Sequence, residues 1–480
     1  MTELLFVSKS KVIAWLIQEV FLCIGLCVWV FFSRGDNFSD YLKYLVIFQF
    51  FLCVFSNYLV NRWLYNVYGI FLILFFIFLL SRVFLDVVGL YAMEKTSFFS
   101  SYYFSEDVVC KTLYSLIVSL VSLNVGFLIN SKDSIHYVMS SGKISRDPNY
   151  IKFGTIFFII GAVPTVVKSV LTIYRVSKYG YLSLFVSPEL FEIPIYISFF
   201  SLFFPIGFLM CHLGKMEGIK LTLITIIFIS SEILELLVGK RGAVLTQIII
   251  LIWFFAFYYG KLIQPRKLIM FSLLLVLVSQ FMLVFRGSKS LPIEELAPLF
   301  FYQQGVSVQV IGYMYRYDIA DKDEFSPSDV FRPIYQNLDV FIGKFDQDAA
   351  PLGPEERMKK YNNYSMVISY EADPGKFSKG FGMGGTYIVE IILLFGYYAL
   401  PIFNFFLGFF LARIESIVYG KRIRHIIAMM VLPNIIYISR GYIFDFVNTE
   451  MRPIMMFGII MMILHLLQKK QYEKNRLYIA

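Results

Sequence analysis

The sequence predicts an all-α integral membrane protein: a bundle of about 12 transmembrane helices with one large loop on a single face. Three observations lead there. Hydrophobic residues make up 58% of the 480 and charged residues 16%, whereas about a quarter of a soluble domain is charged. Most of the chain is a succession of apolar runs split by short polar breaks. Only residues 286–382 depart from that pattern, in a mixed-charge interval holding Arg286, Lys289, Glu294, Glu295, Arg316, Asp346, Asp348, Arg357 and Glu371.

The apolar runs lie near 12–32, 42–60, 67–90, 108–130, 151–172, 194–214, 221–238, 243–260, 268–285, 385–412, 425–439 and 453–468. Each is close to the 20 or so residues that cross the hydrocarbon as a helix, and lipid-facing backbone has to satisfy its own hydrogen bonds. The organisation is therefore a bundle of nine spans over 1–285, a large loop over 286–382, and three spans with a tail over 383–480. The first run is long enough to span and no A-x-A-like site follows it, so it is expected to be a span rather than a leader. With the N-terminus inside, the inner segments hold twenty Lys and Arg and the short outer loops ten. This bias predicts both termini in the cytoplasm and the 286–382 loop on the outer face. The net charge of +9 is spread over many loop ends, with no basic stripe of the kind that binds nucleic acid. Cys23, Cys27, Cys53, Cys110 and Cys211 fall in or beside apolar runs and are expected to act as small buried side chains.

Candidate site residues gather at the predicted outer ends. Lys240 and Arg241 stand between two glycines, Arg286 and Lys289 follow the ninth run, and Arg440 follows the eleventh. Such charges serve either as interfacial anchors or as a phosphate clamp. The clamp reading draws on the planar donor fork of arginine and on three Arg-Gly pairs, 241–242, 286–287 and 440–441, which would let backbone approach an anion. Glu390, inside the tenth run, needs a partner or a wet cavity at that depth; it pairs with an arginine or orients an acceptor. Asp445 has the same two readings. Arg82 and Asp86, four apart, are expected to form an ion pair on one helix. Glu232 and Glu235 read as neighbours of the 240–241 positives. Tyrosines of the loop, Tyr361 and Tyr364 among them, belong to an interfacial belt or offer stacking platforms for sugar rings.

Asp346-Gln347-Asp348 has a metal-binding spacing, but Asp321-Lys322-Asp323 repeats it, and a solvated acidic loop explains both. The four histidines lie outside the large loop, so neither a His-ligated metal nor His-based catalysis is expected there. No Walker-type motif is present, and no cofactor is expected.

Three stretches resemble the bacterial O-antigen polymerases, the Wzy-type oligosaccharide repeat-unit polymerases: GKRGAVLTQIIILIWFF at 239–255, the segment 361–413, and SRGYIFDF at 439–446. Within 361–413, the run Gly380-x-Gly382-x-Gly384-Gly385-Thr386, Glu390, Phe395-Gly396 and Gly408 is similar to a family pattern that has serine where Thr386 stands. The resemblance implies a membrane-embedded glycosyltransferase bundle of GT-C-like type in the bacterial inner membrane. Its activity would be metal-independent transfer of a growing glycan from undecaprenyl pyrophosphate onto a lipid-linked repeat unit at the periplasmic face, building O-antigen or a related surface polysaccharide. The partners implied are the lipid-linked oligosaccharides, membrane lipid, a chain-length regulator and a flippase. On this reading Arg241, Arg286 and Arg440 hold the pyrophosphate, Lys240 and Lys289 assist, Glu390 or Asp445 serves the acceptor, and Tyr361 and Tyr364 contact sugar. Two other readings are a flippase-like transporter, which fits the span count, and a ligase, which would carry a histidine in the large loop.

Overall fold

A computed structural model describes residues 9–32, 38–61, 64–93, 95, 103–131, 145–179, 193–238, 241–259, 293–321, 327–331, 334–335, 356, 364–379, 381–419, 422–447 and 451–462. The described chain is helical. In order it forms α1 (Lys9–Phe32), α2 (Phe38–Asn61), α3 (Val67–Phe75), a π turn (Phe76–Leu80), α4 (Ser81–Val87), α5 (Glu106–Asn130), α6 (Pro148–Tyr179), α7 (Ile195–Ser201), α8 (Phe203–Leu213), α9 (Ile219–Val238) and α10 (Arg241–Tyr259). Then come α11 (Ile293–Gln304), α12 (Ser307–Arg316), α13 (Tyr364–Ala372), α14 (Pro374–Ser378), α15 (Tyr387–Phe395), α16 (Ala399–Leu411), α17 (Ile414–Val418), α18 (Arg422–Tyr437) and α19 (Met451–Met462). Five helical stretches are long and apolar enough to cross a membrane: Phe38–Asn61, Val67–Val87, Glu106–Asn130, Pro148–Tyr179 and Tyr196–Leu213. Shorter apolar helices cover Val244–Tyr259, Ala399–Leu411 and Met451–Met462. The predicted run 268–285 lies outside the described residues. Exposed Ile159, Val163, Val166 and Val170 give α6 an apolar outer face. A face of that kind fits lipid, and the chain is an all-α, multi-pass membrane protein.

Polar side chains tie the first helices together inside the apolar core. Gln18 of α1 and Gln49 of α2 exchange hydrogen bonds at 3.1 and 3.3 Å. Asn124 of α5 donates to Gln18 at 2.9 Å and accepts from Tyr68 of α3 at 3.2 Å. Buried in an apolar core, these groups satisfy one another, which locks the register of four helices. A second node sits at the start of α3. Buried Glu415 of α17 accepts from the Val67 N–H at 2.7 Å and from Trp253 Nε1 of α10 at 3.3 Å. A carboxylate at a helix N-terminus complements the helix dipole. The three cysteines with a described environment are free, with Cys53 and Cys211 buried, as expected of small apolar residues.

The tenth predicted span, 385–412, is not one helix. It breaks at Gly396, whose φ of +78° suits glycine alone, and folds back on itself. In a continuous helix Tyr387 and Asn404 would stand about 25 Å apart. Here the Tyr387 hydroxyl donates to Asn404 Oδ1 at 2.6 Å. Asn404 in turn donates to Ser119, near the middle of α5, at 3.3 Å. The segment that precedes α15, residues 381–386, therefore reaches deep into the bundle before α15 climbs back. α16 returns beside α5 at backbone contact: a Cβ on Gly126 would lie 1.9 Å from the Phe405 carbonyl oxygen, and one on Gly408 2.0 Å from that of Leu123. Small residues of this kind let membrane helices approach closely. Part of the predicted loop is also built into the bundle, since Ser307–Met314 of α12 are buried.

Because neither backbone can yield, Gly126→Val or Gly408→Val is expected to destabilise the protein by about 1–3 kcal/mol, as overpacking does. Thermal unfolding of the purified protein in detergent checks this, with Gly458→Val, which meets nothing within 4 Å, as the control.

Candidate functional site

The deep glycine-rich segment is the floor of a polar cluster. Residues 381–386 adopt neither helix nor strand, so their backbone groups need partners from elsewhere. α13 supplies them. The Tyr364 hydroxyl accepts from the Thr386 N–H at 2.9 Å and donates to the Thr386 carbonyl at 3.2 Å. Ser369 Oγ accepts from the Met383 N–H at 3.1 Å. The Tyr387 N–H donates to the Ile438 carbonyl at 3.0 Å, which joins the segment to the end of α18. Gly385 is there for space: a Cβ on it would lie 2.4 Å from the Tyr364 hydroxyl and 2.9 Å from the Tyr442 ring.

The turn after α18, residues 438–447, carries the candidate chemistry. Arg440 Nη1 donates to the Gln304 carbonyl at 2.8 Å and to Gln304 Oε1 at 2.9 Å, and its guanidinium lies 5.3 Å from the Phe78 ring centre. On the other side of the turn, Glu390 Oε2 accepts from the Ile443 N–H at 2.6 Å, and Asp445 Oδ2 accepts from the Tyr442 N–H at 3.0 Å. Tyr442 is hydrogen-bonded to Ser365 of α13. Glu390 is 1% exposed. Its described partner is a backbone N–H, so the expected pairing with an arginine is not seen among the described residues. Burial raises the Asp445 carboxyl above its usual range, and the Tyr442 N–H offsets part of that.

Of the other residues singled out in the sequence, Arg241 begins α10 and is described by its backbone alone. Its neighbour Gly242 lies against Tyr437, one turn before Arg440: a Cβ there would be 2.8 Å from the Tyr437 hydroxyl. A Cβ on Gly441 would lie 3.1 Å from the same Tyr437 ring, so the glycines of two of the three Arg-Gly pairs flank one tyrosine side chain. Lys240, Arg286, Lys289 and Tyr361 lie outside the described residues, as does Asp346-Gln347-Asp348. Tyr364 is buried and its hydroxyl is committed to Thr386, so as placed it supports the glycine segment. Among the described residues, no three His, Cys, Asp or Glu group as a metal site would require.

The structure corrects one pairing. Arg82 does not bridge to Asp86. Asp86 pairs with Lys43 of α2 at 2.7 Å and accepts from the Met93 N–H at 2.9 Å. Arg82 turns the other way: its Nε donates to the Tyr302 carbonyl at 2.9 Å and its guanidinium stacks 3.9 Å from the Tyr302 ring centre. Arg82 and Gln304 are thereby members of the Arg440 neighbourhood. The one signal available in the sequence was an arginine within an apolar run.

Glu232 and Glu235 line a cavity of ≈ 340 Å³ on the flank of α18, together with Lys168, Ser169, Gln247 and Pro433. Ser169 Oγ donates to Glu235 Oε1 at 3.3 Å. The cavity adjoins the break between α7 and α8.

A family model described as O-antigen polysaccharide polymerase Wzy matches residues 14–471, nearly the whole chain. No curated protein and no solved structure matches it.

Steric crowding separates the glycines of the floor. Gly385→Ala is expected to lower thermal stability by about 1–3 kcal/mol by displacing Tyr364. Gly382→Ala, whose Cβ would meet Ser369 Oγ at an ordinary 3.9 Å, leaves the unfolding midpoint near wild type.

Proposed function

Since the chain belongs to the O-antigen polysaccharide polymerase Wzy family, we propose that it transfers a growing glycan from undecaprenyl pyrophosphate onto a lipid-linked repeat unit at the periplasmic face of the inner membrane. The observation that carries this reading is the turn 438–447, which bears Arg440 and Asp445 and binds Glu390 of α15 through the Ile443 N–H, beside a satisfied backbone floor. Such a turn supplies both halves of a glycosyl transfer. Arg440, with Arg241 and Arg286, holds the donor pyrophosphate, aided by Lys240 and Lys289. Glu390 or Asp445 takes the proton of the acceptor hydroxyl. That oxygen bonds to the anomeric carbon, the bond from that carbon to the pyrophosphate breaks, and the pyrophosphate leaves with the electron pair. Negative charge grows on the leaving group, and fixed guanidinium groups in a partly dry site stabilise it without a metal ion. On this reading both termini are cytoplasmic and the turn is periplasmic, where the donor is presented. Tyr364 holds the floor in shape, and Tyr361 contacts sugar.

Transport of the lipid-linked oligosaccharide is the second reading. The charged cavity beside the α7–α8 break favours it, because broken helices around charged cavities mark transporter sites. Flipping of a labelled lipid-linked repeat unit without chain growth would select that reading.

The polymer ladder in cells tests the first. Arg440→Ala and Arg241→Ala, expressed at wild-type level, are expected to cut polymerisation by about 10²–10³-fold, leaving single repeat units attached; full ladders from both overturn the assignment. The pH dependence separates the carboxylates. If Asp445 is the base, activity is lost as pH falls through its raised pKa, so the acidic limb lies above the ordinary aspartate range. Asp445→Asn then abolishes turnover while Glu390→Gln keeps that limb; the opposite result assigns the base to Glu390.

A further inference from the structure

Arg82 is 2% exposed, its Nη1 meets no acceptor among the described residues, and no carboxylate pairs with it there. Its nearest acid in sequence, Asp86, is taken by Lys43. Among the described residues, Arg440 is likewise held by neutral oxygens, both from Gln304. The two guanidinium groups share one support. Arg82 binds the carbonyl of Tyr302 and Arg440 that of Gln304, at the C-terminal end of α11. Phe78, one turn before Arg82 across the π turn, lies under Arg440. A helix C-terminus carries only about half a negative elementary charge. Set against two full positive charges, it leaves a surplus of more than one. A buried surplus of that size is unfavourable until an anion neutralises it.

The neighbourhood is furnished for such an anion. Ser439, beside Arg440 in the chain, and Ser307, just past the end of α11, are buried with hydroxyls that have no partner among the described residues. Arg440 is part-exposed, whereas Arg82 is buried. Gly305 keeps the pair close, because a Cβ there would come within 2.9 Å of Arg82 Cγ. Planar donor forks fit phosphate oxygens, which accept bidentate bonds.

We propose that Arg82 is the second arm of an anion clamp with Arg440, closing on the phosphate oxygens of one lipid-linked pyrophosphate. This rests on the donor role given to Arg440 above and adds to it a residue from within an apolar helix.

The test uses the full-length protein purified in neutral detergent, with unfolding midpoint against ligand concentration as the readout. The probes are undecaprenyl pyrophosphate, inorganic pyrophosphate and phosphatidylglycerol. Both pyrophosphates are expected to raise the wild-type midpoint and phosphatidylglycerol is not. An equal response to phosphatidylglycerol assigns the clamp to bulk lipid headgroups and overturns the donor part. Arg82→Gln is expected to weaken the pyrophosphate response by about tenfold or more, the scale of a lost charged hydrogen bond. Wild-type affinity in a folded R82Q protein overturns the proposal. Should R82Q fail to fold, R82K decides: it keeps the charge and loses the fork, so weaker binding is expected, and unchanged affinity overturns the clamp. Failure of the polymerase reading is distinct. Arg440→Ala that abolishes pyrophosphate binding yet leaves full ladders removes that reading and keeps the clamp.

Discussion

A stretch of irregular backbone halfway down a helical bundle has no water to bond, and the site is built on how that debt is met. Tyr364 meets most of it with one hydroxyl, accepting from the Thr386 N–H and donating to the Thr386 carbonyl. Ser369 and the Ile438 carbonyl take the Met383 and Tyr387 N–H groups. Once these bonds form, residues 381–386 are held against the end of α18. Glu390, one turn into α15, then meets the Ile443 N–H. The position of Glu390 beside the 438–447 turn is therefore a consequence of backbone satisfaction further down.

Charge in the bundle is sorted by the same constraint. Carboxylates at depth are held by backbone or side-chain N–H groups: Glu390 by Ile443, Glu415 by Val67 and Trp253. The arginines Arg82 and Arg440 are held by carbonyl oxygens and lie by aromatic rings. The Glu415 arrangement uses dipoles to hold α3, α10 and α17 together. The arginine arrangement keeps donors available, because a carbonyl leaves the guanidinium charge intact where a carboxylate would cancel it. One node serves packing, and the other suits the binding of an anion.

Packing fixes these nodes relative to each other. The Gly126 and Gly408 contacts bring α16 onto α5 at backbone distance, and Asn404 reads that register through Ser119 and Tyr387. The π turn at Phe76–Leu80 lies between the α3 network and Arg82, and it places Phe78 under Arg440. Such turns mark functional positions in helices more often than structural ones. The bundle that positions the Arg440 turn is thus stiff on the α5 side, while the flank formed by α6–α10 and α18 holds the charged cavity.

Composition and apolar periodicity alone determined the class of the protein, an all-α membrane bundle, because crossing hydrocarbon imposes length and hydropathy that a linear chain displays openly. Motif residues in 361–413 and 439–446 likewise carried the family resemblance, and Arg440, Glu390 and Asp445 were legible as charges at the edges of apolar runs. Tertiary structure decided what those charges touch. The break at Gly396 looks from the sequence like a glycine in a span; only the contact of Tyr387 with Asn404 shows a chain folded back. Arg82 looked paired to Asp86 because four residues make one helix face, but Lys43 from another helix holds Asp86, and Tyr302 draws Arg82 away. The physical reason is common to both: hydropathy is a property of each residue in turn, whereas the partner of a buried charge or a bare backbone N–H is supplied by whichever distant segment packing brings alongside.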